Sequence, residues 1–251
     1  MNVAKLSKEG ICSGDLILVN AEYGIASGTT PSLAPVHPSA PSVLMCSHAA
    51  AALGRLMQEI DGWESIVPVS GWRSREEQQR IWDDSLRKNG ISFTKKYVAV
   101  PGHSEHQTGL AIDLGLRREP LDFICPAFPD SGICRTFRKK AAGHGFILRY
   151  PAGKEDITGI AHEPWHFRYV GVPHAEIMSR EGMSLEEYTD FLRQFPYGSR
   201  PFRICCGRRS FSVSYIEAAG EGISLFPHDF RSLSGNNADG FIITEWRDAD
   251  A

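Results

Sequence analysis

The chain has 251 residues, 42% of them hydrophobic, and a formal net charge of −3; this allows one sizeable core with or without an appendage and excludes a disordered polymer. That charge leaves no broad basic field for nucleic acid or an anionic membrane, and the short clusters Arg117-Arg118, Lys139-Lys140 and Arg208-Arg209 read as solvated surface. No run approaches the roughly 20 apolar residues of a membrane span. The first ten residues carry Lys5, Lys8 and Glu9 rather than a leader-like apolar stretch, and the six cysteines form no Cys-x-x-Cys pair, so a reducing cytoplasm is the expected compartment.

In chain order, residues 15–20 read as a strand, and residues 24–42, rich in Gly, Ser, Thr and Pro, as a long loop. Ser47 is placed to cap a helix whose apolar positions Ala50, Leu53, Leu56, Met57 and Ile60 follow helical spacing to a stop at Gly62, and residues 66–69 read as a buried strand. Ser74-Arg75-Glu76-Glu77 has the capping-box pattern, predicting a helix to about Lys88 before Asn89-Gly90, then an extended stretch over residues 93–100 and a turn at Pro101-Gly102. Residues 109–114 form a strand candidate. Ile133, Phe137 and Ala141 mark a helix, residues 146–149 and 167–170 strands, and Pro173 and Ser184 the starts of two further helices. From Tyr197 the character changes to short strand candidates, at 202–205, 211–216, 223–226 and 241–245, separated by Gly, Pro and Asn. The expected organisation is a main domain over residues 1–196 and a small β-rich appendage over 197–251.

Two short segments carry the chemistry. Ser104-Glu105-His106-Gln107-Thr108-Gly109-Leu110-Ala111-Ile112-Asp113 and, downstream, Glu163-Pro164-Trp165-His166 supply two histidines, an aspartate and a glutamate. A hydrolytic zinc site needs three protein ligands, an open position and a carboxylate to handle protons. His106, Asp113 and His166 fit the ligand role, with a nitrogen and oxygen set suited to zinc, and Glu163 fits the role of general base and then general acid. Arg73, just before a capped helix, is a candidate to steady an oxyanion or clamp a carboxylate. Taken singly, each has a plainer reading: a surface histidine, a solvated glutamate, an arginine in a surface ion pair.

These residues resemble the zinc D,D-peptidases related to VanX and VanY, through the pattern Ser-x-His-x-x-Gly-x-Ala-x-Asp followed by Glu-x-x-His. The likeness extends over roughly residues 43–195, including Gly71-Trp72-Arg73-Ser74, the run from Gly145 to Pro151 and that from Ile157 to Gly171, and is nearest to the VanXY branch. The resemblance implies an α+β fold with a small central antiparallel sheet flanked by helices, zinc on His106, Asp113 and His166, Glu163 as catalytic base, Arg73 stabilising the transition state, and Ser104 and Gln78 facing substrate. It implies as substrates the dipeptide D-Ala-D-Ala and peptidoglycan precursor peptides ending in it, hence vancomycin resistance in the cytoplasm. A cell-wall endopeptidase or endolysin of the same fold, and a binding module with a structural zinc, are the alternative readings.

Overall fold

The computed structural model describes residues 8–26, 31–118, 120–218, 225 and 228–248. They fall into two units, one spanning Val19–Ser184 and the other combining residues 8–18 with those from Leu185 onward. The division thus differs from the boundary expected at 196/197: the second unit begins at a helix, and a segment from the start of the chain belongs to it.

The first unit is organised by a four-stranded antiparallel sheet in the order β3-β4-β6-β5, formed by β3 (Ile66–Ser70), β4 (Ala111–Leu116), β6 (His166–Tyr169) and β5 (Phe146–Leu148). Alternation along a strand sends neighbouring side chains to opposite faces. In β4, Ile112 and Leu114 join the hydrophobic core with Phe167 of β6, so Asp113 between them projects to the other face. Three positions align across the sheet, Ser70 opposite Asp113 and Asp113 opposite His166, next to an irregularity in β3 between Pro68 and Ser70.

Helix α1 (Ser47–Glu59) covers the core face with Ala49, Leu53, Leu56 and Met57, all buried. Helix α3 (Gly132–Ala141) adds Cys134 and Phe137. Phe128, Phe137 and Phe167 pack edge to face with centroids 4.8–5.6 Å apart, a geometry that adds to the stabilisation from burying their area. Ser47 does not cap α1; Cys46 occupies that position, and the Ser47 hydroxyl donates to the Ser32 carbonyl. Part of the expected loop at 24–42 is ordered as β1 (Leu33–Pro35), paired with β2 (Leu44–Cys46), and its residues 27–30 lie outside the described residues.

Ser74 caps α2 (Arg75–Tyr97) as expected, its hydroxyl accepting the Glu77 amide at 3.1 Å. The chain breaks helical geometry at Gly90, where φ is 78°, and then resumes the helix to Tyr97, so residues 93–97 are helical rather than extended. Burial of Thr94, which bonds the Ser85 hydroxyl and the Gly90 carbonyl, holds this second helical piece. A single turn, α4 (Glu155–Thr158), precedes β6 in the chain, and α5 (His174–Glu181) follows it.

In the second unit, helix α6 (Leu185–Leu192) accompanies an antiparallel sheet ordered β7-β8-β10-β9, from β7 (Phe202–Cys206), β8 (Arg209–Glu217), β9 (Arg231–Gly235) and β10 (Gly240–Asp248). The β-rich character expected from residue 197 is present. The strand predicted at 223–226 lies outside the described residues apart from Leu225, and β9 was not anticipated because its sequence, Arg-Ser-Leu-Ser-Gly, is mostly polar. The strand expected at residues 15–20 does not form: Asp15 and Leu16 lie in a turn, and this segment is held instead by single bonds, the Leu16 amide donating to the Ser234 hydroxyl and the Leu18 amide to the Asn236 carbonyl.

Candidate active site

The functional residues converge on the face of the first sheet opposite the core. His106 sits on a short 3-10 turn, Glu105–Thr108, which ends at Gly109 with φ 74°. The positive φ favours glycine, and a Cβ at Gly109 would stand 3.1 Å from the Cys46 amide nitrogen and Sγ, a tight approach that would make the neighbour give way. This turn delivers His106 to the edge of β4, from which Asp113 projects. His166 opens β6 directly opposite Asp113. Glu163 lies on the tight turn before it, closed by the His166 amide donating to the Glu163 carbonyl.

His106 Nε2 lies 3.1 Å from Asp113 Oδ2, and His166 Nδ1 lies 2.9 Å from Asp113 Oδ1 and 3.6 Å from Glu163 Oε2. His106 Nδ1 donates to the Gly71 carbonyl at 2.7 Å, since a carbonyl only accepts, which leaves Nε2 as the ring's free lone pair. Ligand atoms from His106, Asp113 and His166 all lie within 4.8 Å of one another. Asp113 Oδ1 is buried without an aligned hydrogen-bond partner despite the nearby imidazole. Such an orphaned oxygen is costly unless a cation satisfies it, and two imidazoles with one carboxylate are the donor set of an open tetrahedral site. The residues fit a divalent metal.

Arg73 reaches the same point from the other side. It donates from Nε to Ser70 Oγ at 2.8 Å, from one terminal nitrogen to Gln78 Oε1 at 3.4 Å and from the other to Asp113 Oδ2 at 3.1 Å. Gln78 is itself fixed by donating to the Ala99 carbonyl. All five principal residues, with Ser104 and Gln78, line one cavity of about 330 Å³, at the small end of the range for ligand sites.

Burial pushes the Glu163 carboxyl up to about 8, against the opposing pull of His166. For His166 burial disfavours the charged ring, but Asp113 and Glu105 outweigh it and push the imidazole up to about 9. Burial lowers His106, assisted by the Arg73 charge. Burial also opposes ionisation of Asp113, yet the flanking imidazoles hold it well below the usual carboxylate range.

One group was not anticipated. Glu105, between Ser104 and His106, is buried together with Arg149 and Arg168, both of which are 0% exposed. Each arginine donates to Glu105 Oε1 at 2.8 Å, and although burial opposes its charge the pair holds Glu105 well below the usual range. The sequence signal was a charge inside each of two apolar strand runs, Phe-Ile-Leu-Arg and His-Phe-Arg-Tyr, since unpaired arginines are almost never fully buried. Ser70 and the Gly71 carbonyl were also unassigned; nothing in a lone serine or a backbone oxygen marks it in sequence.

The chain belongs to the VanY D-alanyl-D-alanine carboxypeptidase family, whose pattern matches residues 43–172. It is 50% identical over 141 residues to the bifunctional D-Ala-D-Ala dipeptidase and D-Ala-D-Ala carboxypeptidase VanXYC of Enterococcus gallinarum, covering 56% of this chain and 74% of that protein. Among solved structures it is similar to the vancomycin-resistance D,D-dipeptidase VanXYg in complex with a D-Ala-D-Ala phosphinate analog, at 46% identity and TM-score 0.95, covering 98% of this chain and 99% of that one. It is similar also to a variant of the D,D-pentapeptidase VanY from the VanB-type resistance cassette in complex with Zn(II), at 30% identity and TM-score 0.60, covering 70% and 98% of the two chains. The expected α+β architecture, antiparallel sheets with helices and a β-rich C-terminal sheet, agrees with this relationship. No helix among the described residues is long and apolar enough to cross a membrane.

Proposed function

We propose that this protein is a zinc-dependent D,D-peptidase that removes the terminal D-Ala from D-Ala-D-Ala and from peptidoglycan precursor peptides ending in it, and that acting on these precursors in the cytoplasm it confers vancomycin resistance. The observation that carries this reading is the buried Glu163 carboxylate 3.6 Å from His166 within a His106, Asp113 and His166 ligand set. His106 Nε2, Asp113 and His166 Nδ1 would hold the metal. When bound, zinc supplies a Lewis acid that activates water and polarises a carbonyl.

The remaining work falls to the chain. Glu163 accepts a proton from water at its carboxylate and returns it to the amine nitrogen of the departing D-Ala, so one group serves both directions of transfer. Arg73, held at its two ends by Ser70 and Asp113, sets a permanent positive charge where the scissile carbonyl becomes an oxyanion. Gln78 keeps that guanidinium in place and, with Ser104, faces the substrate's polar backbone. A structural zinc in a binding module has no use for a buried carboxylate beside an open position, which favours the peptidase reading.

The test is to incubate the zinc-loaded protein with D-Ala-D-Ala and with a pentapeptide ending in D-Ala-D-Ala and to follow free D-Ala. Release from both is expected, abolished by chelator. Stable binding of zinc without release from either substrate would leave the structural-metal reading standing.

A further inference from the structure

Two imidazoles meet Asp113 through opposite nitrogens. His106 turns Nδ1 to a backbone carbonyl and Nε2 to Asp113, whereas His166 turns Nδ1 to Asp113 and Nε2 away. What receives the far side of His166 is Glu105. Its Oε1 accepts from Arg149 and from Arg168, at 2.8 Å each, and its Oε2 lies 3.5 Å from His166 Nε2. Among the described residues, three buried side-chain polar atoms have no aligned hydrogen-bond partner, and two of them are this Oε2 and this Nε2. A ring displacement of a few tenths of an ångström turns the pair into a hydrogen bond.

We propose that Glu105 is a positioning residue for His166: its carboxylate, aimed by two fully buried arginines, accepts the Nε2 proton and so reserves the Nδ1 lone pair for the cation. The inference rests on the zinc reading of the site. A carboxylate is the group that fits, because ionised it only accepts, and its acceptance at Nε2 dictates the tautomer at the other nitrogen. The register supports the geometry: Arg168 lies two residues beyond His166 on the same face of β6, opposite Ala111, whose small side chain leaves space beneath it. The Arg149 amide also donates to the His166 carbonyl, so one residue holds both the backbone of the ligand and the carboxylate behind its ring.

Substitution Glu105→Gln reverses the polarity at almost unchanged shape. Guanidinium groups only donate, so the amide oxygen of the glutamine must face Arg149 and Arg168, and its NH₂ then points at His166 Nε2. That arrangement favours the proton on Nδ1, the nitrogen needed for the metal. Zinc affinity, measured by competition with a chromophoric chelator on the folded metal-free protein, is expected to fall about 10- to 100-fold, the usual effect of losing a partner behind a histidine ligand. The control is Leu56→Ala, a core truncation in α1 that lowers the thermal midpoint without touching the site and should keep wild-type zinc affinity. Wild-type affinity in Glu105→Gln, or an equal loss in Leu56→Ala at matched midpoint, overturns the proposal. Should Glu105→Gln not fold, nitrogen-15 NMR of the zinc-loaded wild type decides instead: ring protons on His166 Nε2 and His106 Nδ1 are expected, and a proton on His166 Nδ1 overturns it. A wild-type protein that binds no zinc refutes the functional reading itself, a result distinct from either.

Discussion

Zinc loading at pH 7 is expected to release about two protons, and the structure says which. Asp113 is held ionised and His106 neutral by their surroundings, so neither has a proton to give. His166, pushed up to about 9, is protonated at pH 7, and a ligand nitrogen must lose that proton. Glu163, pushed up to about 8 by burial, is also protonated there and ionises when a dication arrives beside it. Two protons leave as two positive charges enter, which keeps the buried charge constant. The sign follows: both groups hold protons more tightly than their ordinary values, so apparent zinc affinity rises with pH until they titrate. Each released proton changes affinity about tenfold per pH unit, or about 1.4 kcal/mol. Between pH 6 and 7 the gain is about a hundredfold, easing to about tenfold between 8 and 9 and ending above that. Calorimetric titration of zinc in buffers of different ionisation enthalpy gives the proton count directly, and Glu163→Gln should reduce it to about one at pH 7. A count near zero in the wild type, or a flat affinity from pH 6 to 8, would refute the account of the site's electrostatics.

Arg73→Lys should lower kcat by about 10²–10³-fold while zinc affinity stays within a few-fold, because an ammonium cannot keep contacts to Ser70, Gln78 and Asp113 together; steady-state kinetics with chelator competition checks both parts. Gly109→Ala should destabilise the protein by about 1–3 kcal/mol through its positive φ and the crowding at Cys46, read from urea denaturation. Ser74→Ala removes the cap of α2 and should cost about 1 kcal/mol in the same measurement.

What could be read in the sequence follows the range of the interactions concerned. The cap at Ser74, the strand carrying Asp113 and the turn carrying Glu163 are set by residues a few positions apart, and their chemistry is visible locally. The gathering of His106, Asp113 and His166 is a product of strand register, Asp113 opposite His166, which no local pattern encodes; the residue types nominate the set and the motif resemblance strengthens it. Three misreadings have a common origin in tertiary contact. Asn89-Gly90 reads as a helix end in the sequence, but burial of Thr94 carries the helix beyond it. Ser47 does not make the cap its position suggests because Ser32, just before β1 in the expected loop, offers its carbonyl to the Ser47 hydroxyl. Glu105 was passed over because its partners, Arg149 and Arg168, lie 44 and 63 positions away in the chain.

The peptidase mechanism requires Glu163 to move the proton in a peptide hydrolysis without holding the metal. It is tested most directly by comparing wild type and Glu163→Ala, each with its zinc content measured, for D-Ala release from D-Ala-D-Ala. The account predicts full zinc occupancy in both and a rate at least about 10²-fold lower in the variant. Undiminished hydrolysis by a zinc-replete Glu163→Ala protein would contradict it.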